Sequence, residues 1–238
     1  MARRRSKKYQ KVAALVDRTK RYSLDEALEL IPKLTWANFK ETVEAHITLK
    51  LSSNETVRGT VSLPYGTGKE VKVLVFARGE KAREAKESGA DYVGDTDLID
   101  KIMKENWIDF DVVIATPDMM RDVGKLGRIL GPRGLMPSPK SGTVTMDVGK
   151  AVQEFKRGRI EFRSDKTGVV HAAIGKVDFP KEHLKANFLA LYDAILKAKP
   201  QGHKGEYVRS AAIATTMGPG IKLDLNDVNK QLREMEAA

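Results

Sequence analysis

The chain of 238 residues contains no cysteine, which excludes disulfide bonds and thiolate chemistry and is typical of a reducing compartment. Aromatic residues make up only 6% of the sequence. No apolar run approaches the ~20 residues needed to span a bilayer, and none follows Arg5, so the basic start does not resemble a signal peptide. A hydrophobic content of 41% nevertheless predicts a folded protein with a substantial core.

Catalytic and metal-binding motifs are also missing. Residues 66–69, Gly-Thr-Gly-Lys, resemble the end of a phosphate-binding loop. However, Leu63 replaces the first glycine of that motif, and Glu70 replaces the Ser or Thr that would hold magnesium. The histidines have no metal-ligand spacing; they are His46, His171, His183 and His203. The sequence therefore predicts no catalytic residue, no metal site and no cofactor.

Positive charge is abundant but unevenly distributed. The formal net charge is +10. Residues 1–22 contain nine Lys or Arg and one acidic residue, and residues 121–163 contain ten and four, whereas residues 80–111 contain five and ten. This distribution predicts a polyanionic partner that contacts particular regions of the molecule.

The basic region centres on residues 124–144, which hold five glycines, three prolines and no carboxylate. Glycine lets the backbone approach a ligand closely, and proline makes the path between contacts rigid. We interpret this segment as an anion-contacting loop. The alternative at this point is a solvated surface loop.

The two ends of the chain have the patterns of an α+β fold. Residues 41–51 alternate between apolar and polar, which predicts a half-buried strand. Residues 160–164 and 169–174 alternate as well, so we expect a hairpin that turns at residues 165–168. Ser23 and Glu26 form a capping box that begins a helix, and Pro32 should end or kink it.

The middle of the chain has a different rhythm, in which short apolar runs alternate with helical patterns. This rhythm predicts a three-layer parallel α/β (Rossmann-like) domain, inserted into a discontinuous outer α+β domain with an antiparallel sheet. We expect the outer domain at residues 1–67 plus 159–238 and the inserted domain at residues 68–158. The hinge residues would be Gly66, Gly68 and Gly158. One continuous α/β domain is the alternative.

Six long segments, in order along the chain, resemble the L-one family of large-subunit ribosomal proteins. They are FKETVEAH at 39–46, VRGTVSLPYGTGK at 57–69, FDVVIATPD at 110–118, LGRILGPRGLMPSPKSGTV at 126–144, GRIEFRSDKTGVVH at 158–171 and ATTMGPG at 214–220. The resemblance covers nearly the whole chain. It implies the split architecture described above and a protein without catalytic activity.

The resemblance also implies where RNA would bind, namely on the outer domain. The matching positions are Phe39, Thr42, Arg163, Asp165, Lys166, Gly168, Ser210, Thr216, Met217 and Gly218. Thr216 and Ser210 would offer hydroxyls to ribose, and Gly218 would let the backbone approach it. Arg163 and Lys166 would reach phosphates. A position in the core is the alternative for Phe39, and a simple strand-ending turn is the alternative for residues 217–220.

The partners that the resemblance implies are 23S rRNA at the mobile side stalk, deacylated tRNA leaving the exit site, and the protein's own mRNA, whose translation it would repress. We expect a monomer when free and a cytoplasmic location on the ribosome. The expected secondary RNA contacts are Arg128, Arg133 and Lys140. Asn38 stands where the family often has a basic residue, so no phosphate contact is expected there.

Two other functions are weighed against the pattern. A nucleotide-using enzyme could be built on the inserted domain, because parallel sheets bind ligands at the carboxyl ends of their strands. A double-stranded DNA binder would need a groove-reading helix rich in Arg, Asn and Gln, and the sequence contains none.

Overall fold

The computed structural model describes residues 6–52, 55–200, 203 and 205–237. The chain divides into two compact units. One consists of Met1–Gly68 and Glu161–Ala238, and the other of Lys69–Ile160. The first contains an antiparallel sheet and the second a parallel one, which confirms the predicted fold class. Residues 1–5, which begin the predicted basic tail, lie outside the described residues.

The discontinuous unit is built around a four-stranded sheet of order β7-β1-β8-β9. Its strands are β1 (Thr42–Leu49), β7 (Val169–Lys176), β8 (Val208–Thr215) and β9 (Ile221–Lys222), and its helices are α1 (Lys7–Ala13), α2 (Leu24–Leu34), α8 (Lys181–Lys197) and α9 (Leu225–Ala237). Strand β1 pairs antiparallel with both β7 and β8. The central strand therefore joins a segment that follows the inserted unit to one near the end of the chain.

The two faces of β1 differ as the sequence alternation predicts. One face places Val43, Ala45, Ile47 and Leu49 in the core, and helices α2 and α8 pack against the neighbouring strands of the sheet. The other face carries partly exposed polar side chains; these are Thr42, Glu44, His46 and Thr48. The sheet thus presents one polar face whose chemistry is set by alternate residues of its strands.

Helix α2 begins as predicted but ends differently. The Ser23 hydroxyl accepts a hydrogen bond from the backbone N–H of Glu26 at 3.2 Å, which caps the first turn. Pro32 lies inside the helix, which continues to Leu34. A proline in the last turn removes one backbone hydrogen bond. Ile31 and Leu34 are fully buried, and this packing outweighs the missing bond.

The hairpin predicted around residues 165–168 forms only at its turn, where Ser164 and Val170 make an isolated antiparallel bridge and the N–H of Asp165 donates to the carbonyl of Val169 at 2.9 Å. Strand β6 (Arg159–Arg163) pairs with β2 (Arg58–Ser62), whereas β7 pairs with β1. The reason lies at Ser164, whose backbone N–H donates to the carbonyl of Val57 at 2.8 Å and whose hydroxyl accepts from the N–H of Val57 at 2.9 Å. These bonds draw the end of β6 toward the segment before β2, so a turn joins two different sheets.

The inserted unit contains a parallel sheet of order β4-β3-β5, with β3 at its centre. Its elements are β3 (Val73–Phe76), α3 (Glu80–Glu87), β4 (Tyr92–Gly94), α4 (Thr96–Glu105), β5 (Val112–Ala115), α5 (Met120–Val123), α6 (Gly127–Leu130) and α7 (Val148–Lys156). All four residues of β3 are buried. They divide between two hydrophobic clusters, one with α4 to α6 and one with α3 and α7, which makes the predicted three layers.

The segment at residues 124–144 is more ordered than a solvated loop. Gly124–Leu126 and Pro139–Ser141 form 3-10 turns, and α6 lies between them. Leu126 and Leu130 are fully buried in the cluster that also contains α4. The apolar residues of this glycine-rich segment therefore anchor its first part in the core. Its cations extend from a backbone that this packing holds in place.

Candidate nucleic-acid interface

Two loops of the discontinuous unit meet where β1 begins and β8 ends. We call residues 35–41 and 216–220 the paired loops. The indole N–H of Trp36 donates to the carbonyl of Met217 at 3.2 Å. The backbone N–H of Thr216 donates to the carbonyl of Thr42 at 3.1 Å, which extends the β1–β8 pairing to the loops. Segments separated by about 180 positions in the chain are thereby held side by side.

Glu41 is the buried centre of the paired loops and is fully inaccessible to solvent. One carboxylate oxygen accepts hydrogen bonds from the backbone N–H groups of Trp36 and Ala37, each at 3.3 Å. The other accepts from the N–H of Met217 at 2.9 Å. Burial acts to raise the pKa of Glu41, but the Met217 N–H, the neighbouring Thr215 hydroxyl and the N–H groups of Ala37 and Trp36 outweigh it and lower the pKa overall. A buried anion thus joins the two loops.

Large apolar side chains on the paired loops face solvent. Phe39 is 57% exposed and Met217 is 42% exposed. A position in the core is therefore excluded for Phe39. Both side chains are therefore available for apolar contact with a partner at the paired loops.

The Thr216 hydroxyl and Gly218, both predicted to meet ribose, already have contacts within the protein. The Thr216 hydroxyl accepts from the backbone N–H of Thr42 at 3.0 Å, and Lys176 donates to the Thr42 hydroxyl at 2.8 Å. A Cβ on Gly218 would lie 2.3 Å from the hydroxyl oxygen of Thr215. Packing alone requires glycine at 218, so its role toward ribose stays a prediction.

The turn at residues 165–168 lies at the opposite end of β1. One oxygen of Asp165 accepts from the N–H groups of Thr167 and Val169, both at 2.8 Å. The bond from the Val169 backbone, followed by that from the Thr167 hydroxyl, lowers the pKa of Asp165. Asp165 therefore shapes the turn. Arg163 and Lys166 are exposed and form no ion pair with any residue that the structure describes, which leaves both free to meet phosphate.

The ten predicted RNA-binding residues fall into two groups, one at each end of β1. The first group is Phe39, Thr42, Thr216, Met217 and Gly218, and the second is Arg163, Asp165, Lys166, Gly168 and Ser210. Ser210 belongs to the second group because it lies opposite Thr48. An eight-residue strand spans about 24 Å at ~3.4 Å per residue. A ligand that touches both groups must therefore be a large one.

Two histidines that look unrelated in sequence lie side by side between these groups. His46 and His171 face each other across β1 and β7, and their Nδ1 atoms are 2.8 Å apart. Burial, followed by the proximity of His171, lowers the pKa of His46, and Glu44 opposes this shift. Asp165 approaches the far nitrogen of His171 at 3.9 Å. The pair favours the neutral form of His46.

This pair predicts a pH dependence of stability. Because the pKa of His46 is lower in the folded protein than its ordinary ~6.5, the unfolded chain binds the proton more readily. The contribution of the histidine pair to the free energy of unfolding is complete above about pH 6.5. It is lost as the pH falls through the lower pKa of His46 in the folded protein. We expect urea-unfolding midpoints to drop less between pH 7.5 and 5.5 in His46→Gln than in the wild type. Parallel drops would contradict this explanation.

Gly168 has a structural role that a matched control can isolate. Its φ is 80°, and an added Cβ would lie 2.9 Å from the carbonyl oxygen of Leu49. Gly205, with φ 87°, has no atom within 4 Å of such a Cβ. Both Ala variants incur the left-handed backbone cost of about 1 kcal/mol. We expect thermal unfolding to show that Gly168→Ala loses at least ~1 kcal/mol more stability than Gly205→Ala.

The predicted secondary contacts lie in the inserted unit. Arg128, Arg133 and Lys140 are exposed, and none forms an ion pair with a residue in the described part of the chain. The predicted hinge residues all have left-handed backbone, with φ values of 62° at Gly66, 70° at Gly68 and 107° at Gly158. A Cβ on Gly68 would lie 2.8 Å from the ring of Phe179, so packing also requires glycine there. The hinge assignment stays a prediction.

Within the described ranges, no group of three or more His, Cys, Asp or Glu side chains is arranged to hold a metal ion. None of the helices in these ranges is both long and apolar enough to cross a bilayer.

Comparison with known proteins places this architecture in a family. Residues 31–219 match the family model described as "Ribosomal protein L1p/L10e family". The chain is 59% identical to "Large ribosomal subunit protein uL1" of Thermosipho africanus over 222 residues, covering 92% of this chain and 96% of that protein. It is 57% identical over 224 residues to the protein of the same name from Fervidobacterium nodosum, covering 93% and 95%. The protein of that name from Thermosipho melanesiensis is 57% identical over 222 residues, covering 92% and 96%.

Proposed function

We propose that this chain, which belongs to the ribosomal protein L1p/L10e family, binds 23S rRNA through the two ends of β1 in its discontinuous unit. The chain is a structural constituent of the large ribosomal subunit and not an enzyme. This excludes the nucleotide-using enzyme that the sequence analysis considered. The protein is located on the ribosome.

One observation supports this proposal above the others. Exposed apolar side chains on the paired loops and unpaired cations at Arg163 and Lys166 lie near opposite ends of strand β1. Apolar contacts suit riboses and unstacked bases, whereas cations suit phosphates. A folded RNA segment offers both over a distance of about 24 Å, which a small ligand cannot do.

Salt titration tests this proposal. Each phosphate neutralised by a cation contributes roughly one unit to the log–log slope of affinity against salt. We expect gel-shift affinities for a 23S rRNA fragment to fall steeply between about 50 and 200 mM salt. The double variant Arg163→Gln, Lys166→Gln should flatten that slope by about two. An unchanged slope, or equal affinity for duplex DNA, would overturn the proposal.

The finer roles concern the ribosome in motion and the control of synthesis. We extend the proposal to binding at the mobile side stalk, to the release of deacylated tRNA from the exit site, and to repression of the protein's own mRNA. Exposed Arg128, Arg133 and Lys140 would supply secondary contacts. Repression requires that rRNA and the messenger compete for the same residues. Crosslinking the protein to total cellular RNA and sequencing the fragments should recover both, and recovery of rRNA alone would remove the repressor role.

A further inference from the structure

An open, shallow cavity beside the paired loops is lined in part by aromatic side chains that the RNA-binding pattern does not include. It has a volume of about 420 Å³ and is lined by Ser6, Tyr9, Trp36, Thr216, Met217 and Gly218. Three of these residues belong to the predicted RNA-binding set. The others come from the start of the chain and from the loop that follows α2.

We propose that this cavity, formed by Tyr9, Trp36 and Met217, receives one unstacked nucleobase of the bound RNA. The inference rests on the proposed function and names a further contact of the same interface. Bases splayed out of single-stranded or bulged RNA stack on aromatic side chains, which adds affinity beyond phosphate contacts.

The aromatic ring of Trp36 is held in place for such a contact. Its indole N–H donates to the carbonyl of Met217 at 3.2 Å, and its own backbone N–H donates to the buried carboxylate of Glu41 at 3.3 Å. Both ends of the residue are thus anchored, while the side chain stays partly exposed. A ring fixed before binding loses little conformational freedom when a base stacks on it.

The charges around the cavity suit a polynucleotide rather than an uncharged ligand. Tyr9 lies in helix α1, which also carries Lys7, Lys8 and Lys11, all exposed. Residues 6–16 contain no carboxylate. Two acidic groups border the loops. Glu41 is buried and accepts three backbone hydrogen bonds, and Asp178 forms an ion pair with Lys40 at 2.7 Å. Phosphates that flank an inserted base could therefore meet Lys7, Lys8 and Lys11, while the two bordering carboxylates are buried or paired.

Fluorescence provides a direct test, because the chain has two tryptophans. The second, Trp107, packs against the core of the inserted unit and contacts Tyr92 and Phe110. In a Trp107→Phe variant, Trp36 is the sole reporter. We expect its emission to be quenched on titration with a 23S rRNA fragment, at a midpoint that matches the gel-shift affinity. Binding that leaves the emission unchanged would overturn the pocket while leaving the proposed function intact.

Affinity measurements on two variants separate stacking from positioning. Trp36→Ala should weaken binding of the fragment by about 10- to 100-fold. Trp36→Phe keeps an aromatic face but lacks the N–H that holds Met217, and we expect it to stay within about threefold of the wild type. Equal losses in both variants would show that Trp36 only positions its loop and would overturn the proposal. Circular dichroism checks that both variants fold.

Substitution on the RNA side completes the test. Unpaired nucleotides of the fragment are replaced one at a time by abasic residues. At one position, we expect the loss of affinity to match that of Trp36→Ala, and the combination to lose no more than either change alone. Additive losses at every position would overturn the pocket. If the wild-type protein does not bind the fragment at all, the proposed function itself fails.

Discussion

Replacing Glu41 with Gln is expected to lower the free energy of unfolding by about 2 to 4 kcal/mol and to weaken RNA binding by at least ~10-fold. The buried carboxylate accepts from the N–H groups of Trp36, Ala37 and Met217. An amide has one oxygen, and its NH₂ group would face a backbone donor. Chemical denaturation and gel shift measure the two effects on the same samples.

Glu44→Gln is the matched control for this change. It removes the same charge three positions further along the chain, on strand β1, from a side chain that is partly exposed. Its effect on stability should stay within about 0.5 kcal/mol. If the two variants lose equal stability, Glu41 does not hold the paired loops together.

The Glu41 effect should also depend on pH with a definite sign. Because the pKa of Glu41 is lowered in the folded protein, its contribution is present above the ordinary unfolded value of ~4.3. It is lost as the pH falls through the folded pKa. The stability difference between the wild type and Glu41→Gln should therefore shrink toward pH 3. A difference that grows with acidity would contradict the assignment of a buried anion.

Met217→Asp is expected to reduce affinity for the rRNA fragment by about 100-fold, while stability changes by less than ~1 kcal/mol. The side chain is 42% exposed, so the fold tolerates a polar group there. The new carboxylate would repel phosphate and remove an apolar contact.

Met235→Asp supplies the control, because Met235 is 43% exposed in helix α9 of the same unit. It introduces the same charge at an equally exposed methionine, and its affinity should stay within about threefold of the wild type. If the two variants lose affinity equally, net charge alone explains the effect of Met217→Asp, and Met217 is not part of the interface.

The fold could be predicted from the sequence where local patterns decide it. Neighbouring residues alone predict three such features, namely the alternation in β1, the capping box at Ser23 and the buried run in β3. Pairing across long distances could not be predicted in this way. The turn at residues 165–168 could be predicted locally, but the pairing of β6 with β2, next to the bonds between Ser164 and Val57, could not.

The residues of the candidate site were predicted from the family resemblance, but the contacts that hold them in place were not. Glu41 is 176 positions from Met217, and His46 is 125 positions from His171, so no spacing rule connects either pair. An acidic residue at the start of a strand gives no sign that it will be buried. Gly168 and Gly218 match the family's RNA-binding positions, but packing against Leu49 and Thr215 is sufficient reason for each glycine.

Hydrogen–deuterium exchange with and without a 23S rRNA fragment tests the central claim most directly. If the two ends of β1 form the binding surface, RNA should slow exchange at residues 36–42 and 208–218 and at residues 163–169, with smaller changes in α3 and α4 of the inserted unit. Protection confined to the inserted unit, or none at the paired loops, would contradict this account.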